Sequence, residues 1–312
     1  MMRWTQHTAL ALLLGVGGCS LETTTASSPP AAMVSYRGQY VSSWDVAYGQ
    51  HERQVMNLHL RGDWADSDDR MNLRLEGPQP PTVVFAHGSA WYISDKREWE
   101  HFISPFLQAG FNIINLNYRL REGIAPALED VRQALFHLTE NNDLYGLDLE
   151  RVFLAGTSAG GFMAMFHGAA ANSDDPSRRL PEGLRVAGVI NIVGGGTDCF
   201  ELYQDLVDHD LEFWREVGHS LVSDPARARE EMEMVCPAQY IDPGDPPVFL
   251  AHGERDEFGT PSVYIELEGA LRSQGTPVER RSYPNSGHTF VQEDWEDLFP
   301  RLCAFIHRYG GP

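Results

Sequence analysis

A serine between small residues is the clearest chemical signal in the sequence. Residues 156–161 read Gly-Thr-Ser-Ala-Gly-Gly and contain the pattern Gly-x-Ser-x-Gly. The segment follows an apolar run of strand length at 151–155 and precedes a helical pattern at 159–171. A sharp strand-to-helix turn needs small residues and presents the serine hydroxyl beside the free N–H groups of the helix N-terminus. This context predicts that Ser158 is a nucleophile; the alternative is a serine that only caps the helix.

A serine hydroxyl needs a general base to act as a nucleophile at neutral pH. Of twelve histidines, His288 is the preferred base because it lies in a turn between a strand-like run at 278–283 and the last helical pattern. The histidines within or beside other predicted elements are interpreted as structural, namely His167, His209, His219, His252 and His307.

The acid that orients the base is expected in the turn after the apolar run 248–251. That turn reads His-Gly-Glu-Arg-Asp-Glu, and Asp256 is the preferred candidate. Such an acid fixes the tautomer of the imidazole and stabilises the imidazolium without taking the proton itself. Glu254, Glu257 and Asp242 remain alternatives, and the segment is otherwise a solvated acidic turn.

An oxyanion site is predicted where the apolar run 82–86 ends. The following residues read His-Gly-Ser-Ala-Trp and resemble the His-Gly-Gly-x-Trp segment of esterases, with Ser89 in place of the second glycine. Backbone N–H groups of Gly88 and Ser89, with that of Ala159, would bind the oxyanion. The serine keeps its N–H group, but a loop that needs positive φ there would be strained. The alternative is a turn that only ends the strand.

Aromatic residues follow directly after this segment. Trp91, Tyr92 and Trp99 are candidates for stacking on sugar or aryl groups of a substrate, and the alternative is that they anchor the core or a lid. Trp91 and Tyr92 are the candidate substrate contacts.

The residues with chemical roles lie where strand-like runs end, and helical patterns separate those runs. The runs are rich in Val, Ile and Phe without polar alternation, as expected of strands buried on both faces of a parallel sheet. They lie at 82–86, 111–116, 151–155, 186–193 and 248–251, with two more alternating, edge-like runs at 44–48 and 55–60. Helical patterns lie at 127–139, 159–171, 261–273 and 295–308. The alternation predicts a three-layer α/β fold with a mostly parallel central sheet.

Several blocks together resemble the serine carboxylesterases of the α/β-hydrolase superfamily. The resemblance is to the group similar to hormone-sensitive lipase and its BD-FAE-type relatives, and it spans roughly residues 40–310. The blocks are 46–60, 83–96, 117–120, 125–135, 145–161, 242–256 and 286–290. The resemblance implies an α/β-hydrolase domain at 40–312, with no metal and no cofactor. It also implies that residues 117–120 and Asp130 support the site, whereas Thr157 stands where many relatives carry Asp.

Residues 198–245 are predicted to form a helical lid inserted into this domain. The segment holds thirteen acidic residues and three arginines. Its net charge is therefore −10, which is half of the formal net charge of −20 for the chain. Its aromatic and Met residues indicate one apolar side that would pack over the site; the alternative is an acidic insertion without substrate contact. Cys199 and Cys236 bracket the segment and are candidates for a disulfide, since export favours disulfide formation. Cys303 is interpreted as a buried free thiol.

The N-terminal residues are predicted to direct export. Residues 1–18 contain Arg3 and a short apolar run, and end in two glycines before Cys19. This resembles a bacterial lipoprotein signal, in which Cys19 would carry the lipid and 19–39 would form a flexible tether. The alternative is an ordinary secretory signal with Cys19 incidental. The expected location is the bacterial cell envelope, on the periplasmic side or at the surface.

Charge and motifs together limit the function classes. With 24 basic against 44 acidic residues, the chain should be repelled by nucleic acid, and membrane contact is expected only through the lipid anchor. The motifs predict a serine esterase acting on a small or polymer-borne ester. Arylformamide or amide cleavage and removal of acetyl or feruloyl groups from polysaccharides stay open, as does a catalytically inactive binding lipoprotein.

Overall fold

A computed structural model of the protein describes residues 34–37, 40–61, 79–173 and 175–311. The strands of these residues form a single sheet of nine in the order β1-β2-β3-β5-β4-β6-β7-β8-β9. Their bounds are Val34–Arg37 (β1), Tyr40–Ala47 (β2), Val55–Arg61 (β3), Thr82–Ala86 (β4), Asn112–Leu116 (β5), Val152–Thr157 (β6), Val186–Ile192 (β7), Val248–Gly253 (β8) and Val278–Tyr283 (β9).

The central part of the sheet is parallel, as the sequence predicts. β4 to β9 pair in parallel, whereas β1, β2 and β3 pair antiparallel at one edge and β3 joins β5 antiparallel. Ala86 lies opposite Leu116 on one side and Gly156 on the other. The loop after β4 therefore leaves the sheet beside the turn after β6, so both predicted motifs lie at one edge.

Helices cover both faces of this sheet. The α-helices are Glu100–Gln108 (α1), Ile124–Glu140 (α2), Asn142–Tyr145 (α3), Ala159–Ala169 (α4), Cys199–Val207 (α5), Glu212–Ser220 (α6), Ala228–Met234 (α7), Pro261–Ser273 (α8) and Gln292–Gly310 (α9). Short 3₁₀ helices occupy Lys96–Trp99, Pro225–Arg227 and Pro237–Tyr240.

Two buried clusters, one on each face of the sheet, make the fold three-layered. In β4, Val84 and Ala86 belong to the cluster with α2 and α4, while Val83 and Phe85 belong to the cluster with α1 and α9. Successive side chains of a strand point to opposite faces, so a strand covered on both sides is apolar throughout. All five residues of β4 are buried. The prediction of a three-layer, mostly parallel α/β fold is confirmed.

Element bounds differ from the sequence-based ones mainly at the periphery. β1 lies within the predicted tether 19–39, so that boundary is corrected: the alternating residues 34–37 pair with β2. Helix α1 was not predicted, because Pro105 within it interrupts the usual helical pattern. The signal segment and Cys19 lie outside the described residues.

The predicted insertion consists of α5, α6 and α7 with connecting turns. Cys199 and Cys236 are joined by a disulfide, 37 positions apart in the chain, so the ends of the helical segment are linked covalently. Cys303 is a free thiol but half-buried, which corrects the expectation of full burial. It lies on α9 at the margin of the cluster on that face.

We expect the double variant Cys199→Ser/Cys236→Ser to unfold more easily than the wild type. Closing a loop of this length restricts the unfolded chain and stabilises the fold by about 2–4 kcal/mol. Urea unfolding without reductant measures the difference, and Cys303→Ser is the control, since it removes a thiol without changing a cross-link. Equal unfolding midpoints for the double variant and the wild type would contradict the prediction.

Candidate active site

The turn between β6 and α4 places Ser158 in a strained backbone conformation. Its φ and ψ are 51° and −123°, a region that non-glycine residues rarely occupy. The N–H group of Ser158 donates to the carbonyl of Ile192 at 2.7 Å, which ties the turn to β7. A Cβ added to Gly160 would lie 1.9 Å from the carbonyl oxygen of Ala86, so only glycine fits there. The Gly-x-Ser-x-Gly spacing is therefore required by how closely α4 approaches β4.

His288 lies within hydrogen-bond distance of both Ser158 and Asp256. Its Nε2 is 2.8 Å from the Oγ of Ser158, and its Nδ1 is 3.0 Å from each carboxylate oxygen of Asp256. An ionised carboxylate only accepts, so Nδ1 carries the proton and the serine hydroxyl donates to Nε2. Three residues far apart in the chain thus form one hydrogen-bonded line in the order that nucleophilic catalysis needs.

The loop after β8 fixes the carboxylate of Asp256. Its side chain is fully buried, and Oδ1 accepts from the N–H groups of Phe258 and Gly259 at 2.9 and 3.1 Å. The alternative acids are turned elsewhere: Glu254 is exposed and accepts from Ser282, and Asp242 lies beside Asp245. Glu257 is also exposed. Of the four candidates, Asp256 is the one that the structure places against His288.

The loop after β4 lies directly against the serine. A Cβ at Gly88 would lie 3.3 Å from the Cβ of Ser158, so the glycine allows this close approach. Ser89, Ala90 and Trp91 all have positive φ, at 86°, 57° and 56°. Ser89 therefore adopts the conformation that a glycine would adopt without strain.

Tyr118 orients the peptide groups of this loop. Its hydroxyl is 2.9 Å from the carbonyl oxygen of His87 and 3.2 Å from that of Gly88. In a trans peptide the N–H group points opposite to the carbonyl, so the N–H groups of Gly88 and Ser89 point away from Tyr118. Tyr118 is fully buried and stacks on the His87 ring with 4.4 Å between ring centroids. The family resemblance implies that residues 117–120 support the site, but no sequence pattern indicates that the Tyr118 hydroxyl orients the loop.

His87 adds a second restraint on the same loop. Its ring is fully buried, and burial lowers its pKa to about 4, so it is neutral at neutral pH. The Nδ1–H group donates to the carbonyl of Gly88 at 2.8 Å. The ring therefore restrains the loop through the carbonyl of Gly88, and it does not serve as a second base.

The other residues implied as supports form a polar network behind this loop. The Arg119 backbone N–H donates to Asp130 at 2.7 Å, and its guanidinium makes an ion pair with the same fully buried carboxylate. Gln54 donates to Asp130 at 2.7 Å. Asn117 donates to Asp95 at 2.6 Å and accepts from the N–H group of Lys96. These contacts hold the segment that carries Tyr118.

Helix α6 of the insertion packs beside the site through aromatic contacts. Trp214 packs on Phe258 with 4.7 Å between ring centroids, and Phe258 packs on the His288 ring at 5.0 Å. Phe213 packs on Tyr92 at 5.7 Å, and the Tyr92 hydroxyl donates to Glu216 at 3.1 Å. The insertion thus contacts both the histidine side and the oxyanion-loop side of the site, and sequence patterns did not indicate the role of Phe258.

The two aromatic candidates for substrate contact are placed differently. Trp91 is 5% exposed and packs edge-on against Phe162 of α4, so its ring belongs to the core. Tyr92 is half-buried between α6 and the guanidinium of Arg121, which lies 4.3 Å from the ring centroid. Trp99 packs between Phe85 and Phe102. These positions match the alternative in which the aromatic residues anchor core and lid.

The histidines interpreted as structural lie outside the hydrogen-bonded line. His167 and His252 are buried, and burial lowers the pKa of each to about 4. His252 stacks on Tyr264 with 4.4 Å between ring centroids. His209, His219 and His307 lie on or beside α6 and α9.

Comparisons with known proteins identify a family, sequence relatives and structures of the same fold. The family model described as BD-FAE matches residues 72–270. Esterase LipQ of Mycobacterium tuberculosis (strain ATCC 25618 / H37Rv) is 25% identical over 262 residues, which cover 79% of this chain and 56% of LipQ. A probable isoprenylcysteine alpha-carbonyl methylesterase, ICMEL1 of Oryza sativa subsp. japonica, is 27% identical over 283 residues, which cover 84% of this chain and 62% of ICMEL1. The chain thus spans about six tenths of the length of these relatives.

Solved structures share the fold. A bifunctional GH43-CE protein of Bacteroides eggerthii superposes with a TM-score of 0.67 and 22% identity, covering 86% of this chain and 35% of that one. Esterase Est2 of the planctomycete Thermogutta terrifontis, with propionate bound, gives a TM-score of 0.61 and 18% identity. The superposition covers 90% of this chain and 95% of Est2. At this level of identity the likeness concerns the fold, which is that of α/β-hydrolase esterases.

We expect Tyr118→Phe to lower the turnover of an ester substrate by about 10- to 100-fold with little change in KM, because small misplacements of catalytic groups are costly. The variant removes the hydroxyl that holds both loop carbonyls and leaves the ring stacking. Steady-state kinetics on an aryl acetate measure it. The matched control is Tyr40→Phe, whose hydroxyl donates to the carbonyl of Leu107 at 2.5 Å, remote from the site. Equal kinetics for the two variants would disprove the role given to Tyr118.

Proposed function

The chain belongs to the BD-FAE family, and we propose that it is a carboxylic ester hydrolase that uses Ser158, His288 and Asp256 as a catalytic triad. One observation carries the proposal: the serine, imidazole and carboxylate lie in one line of hydrogen bonds of 2.8 and 3.0 Å. The relatives named esterase support the same reaction class.

In the proposed acylation step, Oγ of Ser158 attacks the ester carbonyl carbon. Nε2 of His288 takes the hydroxyl proton as the new C–O bond forms, and the resulting imidazolium is stabilised by Asp256. The same proton then passes to the leaving alkoxide when the ester C–O bond breaks, so the alcohol departs neutral. The acyl group remains bound to Ser158 as an ester.

Deacylation repeats these steps with water as the nucleophile. His288 takes a proton from the water as its oxygen attacks the acyl carbon, and it returns the proton to Oγ when the acid leaves. Both steps pass through a tetrahedral oxyanion. The N–H groups of Gly88, Ser89 and Ala159 are the proposed donors to that oxygen, and losing one donor typically costs about 10²–10³ in turnover.

Two features of the site support an active enzyme over an inactive binding protein. The strained backbone of Ser158 is maintained by close packing of Gly160 on Ala86. The carboxylate of Asp256 has no exposure to solvent and is paired with the histidine. A protein that only binds ligands needs neither feature, and strain of this kind is concentrated at functional sites.

The proposed substrates are small or polymer-borne neutral esters. The insertion beside the site is acidic, so anionic substrates and product carboxylates are disfavoured there. Cleavage of arylformamides or amides would use the same residues, and the assay below includes an anilide of the same acid.

We also propose that the protein is exported and anchored to the cell envelope through a lipid on Cys19. The disulfide between Cys199 and Cys236 supports export, because disulfides persist in oxidising compartments. Within the part of the chain that the structure describes, no helix is long and apolar enough to cross a membrane. Membrane fractionation of wild type and Cys19→Ala is the test: the wild type is expected with membranes and the variant free of them.

We expect Ser158→Ala to lower aryl ester hydrolysis by at least about 10⁴-fold, because the nucleophile is lost. Asp256→Asn should cost roughly 10⁴-fold, since it favours the wrong imidazole tautomer. The assay uses 4-nitrophenyl esters from acetyl to dodecanoyl and the matching 4-nitroanilides. The matched control is Glu254→Gln, an acid two positions from Asp256 that does not contact His288.

A fluorophosphonate probe gives an independent test of the nucleophile. Wild type and Glu254→Gln should be labelled, and Ser158→Ala should not. A larger loss for Glu254→Gln than for Asp256→Asn would reject the assignment of the acid. Faster hydrolysis of anilides than of esters would move the proposal to amide substrates, and absence of both labelling and hydrolysis would favour the binding protein.

A further inference from the structure

A cavity of about 480 Å³ lies between the insertion and the α/β body. The beginning of α2 and the end of α4 supply one wall, and the insertion supplies the other with Leu221, Ser223 and residues at the end of α7. The lining combines charged and hydroxyl side chains with apolar residues, among them Pro126, Leu128, Phe166, Leu221 and Val235. Its volume falls within the range of small-molecule sites, about 300–1,000 Å³.

This cavity is separate from the catalytic serine. Ser158, Phe162 and Phe166 are spaced four residues apart and so lie along one side of α4. Phe166 lines the cavity two turns from the serine, which is about 12 Å along the helix axis. Between them Phe162 is 1% exposed and packs on Trp91, so core side chains fill the intervening space. Neither His288 nor Asp256 is among the described residues that line the cavity.

A buried histidine in the wall has an unused hydrogen-bond acceptor. His167 lines the cavity and is 1% exposed. Its Nε2–H group donates to the carbonyl of Leu128 at 2.9 Å, so Nδ1 is the unprotonated nitrogen of a neutral ring. Burial lowers its pKa to about 4, which keeps the ring neutral at neutral pH. Nδ1 has no hydrogen-bond partner among the described residues, which is uncommon for a buried polar atom.

The six charged residues of the lining have partners within the protein, including Glu122 with Arg119 and Arg178 with Asp175. Arg132 pairs with Glu129 at 2.7 Å, and Arg227 pairs with Glu230 at 2.7 Å. Glu231 accepts from the backbone N–H of Ser223 at 2.6 Å. A charged ligand would have to compete with these pairs, whereas an uncharged one can lie against the apolar residues of the lining without disturbing them.

We propose that this cavity binds a small uncharged amphiphile whose single O–H or N–H donor reaches Nδ1 of His167 while its apolar part fills the space between α2, α4 and the insertion. The proposal does not depend on the reaction at Ser158. A ligand that contacts both the body and the insertion stabilises their native arrangement, because it binds the folded protein and not the unfolded chain.

Two probes that differ in one donor test the proposal. 1-Naphthol and 1-methoxynaphthalene have the same rings, and only the first has an O–H group. Titration calorimetry with the wild-type protein should give one site for 1-naphthol and affinity about 2- to 10-fold lower for the ether, as expected for one hydrogen bond. In His167→Phe the two probes should bind alike. Equal affinity of both probes for the wild type, or no saturable binding, would overturn the proposal.

The location of the site is tested by filling the cavity. Ala125 is an exposed alanine that lines it, and Ala125→Trp should weaken 1-naphthol binding at least about 10-fold by occupying the space. Ala304→Trp is the matched control, since Ala304 is an exposed helical alanine on α9. Circular dichroism establishes that each variant is folded. Unchanged binding in Ala125→Trp would show that the probe binds elsewhere, including at Ser158, and would reject the cavity as the site.

Discussion

Close packing of α4 against β4 is the constraint on which the site depends. The backbone of Gly160 lies so near the carbonyl of Ala86 that no side chain fits between them. This approach forces the chain to turn sharply after β6, and Ser158 takes up the strain with φ of 51°. The same approach brings the loop after β4 beside the serine, so the nucleophile and the loop N–H groups are positioned by a single packing contact. A larger side chain at Gly156 or Gly160 would push α4 away from β4 and so separate Ser158 from the loop N–H groups.

The remaining chemical groups are supplied by loops that are held through their backbones. Asp256 is fixed by two N–H groups of its own loop, and the peptides of His87 and Gly88 are fixed by the Tyr118 hydroxyl. Side chains in these loops act mostly as restraints on neighbouring peptide groups. These restraints explain how the site tolerates Ser89 in place of a glycine. A non-glycine residue at positive φ costs about 1–2 kcal/mol, and the hydrogen bonds that hold the loop offset this strain.

The fold and the hydrogen-bonded residues Ser158, His288 and Asp256 could be predicted from the sequence because their signals are local. Apolar runs without alternation indicate buried parallel strands, and Gly-x-Ser-x-Gly has meaning once it lies between a strand and a helix. The roles of Tyr118 and Phe258 were beyond sequence patterns, since each depends on contacts between segments distant in the chain. Trp91 shows the reverse problem: its type suggested stacking on a substrate, but its packing on Phe162 is decided by the path of α4. The tether boundary was misplaced because a short strand at a sheet edge has a weak pattern and pairs with one neighbour.

The insertion links the chemistry to the rest of the chain through packing more than through charge. It contains half of the formal charge, yet its contacts with the site are mostly aromatic, through Trp214 on Phe258 and Phe213 on Tyr92, with one hydrogen bond from the Tyr92 hydroxyl to Glu216. Exposed carboxylates are screened by salt over about 10 Å at 0.1 M, whereas aromatic contacts are not. The aromatic contacts therefore hold Phe258 beside His288 and Tyr92 beside α6 with little dependence on salt. Because the disulfide joins the two ends of this segment, it fixes the distance between those ends in the folded protein and restricts the chain between them when the protein unfolds.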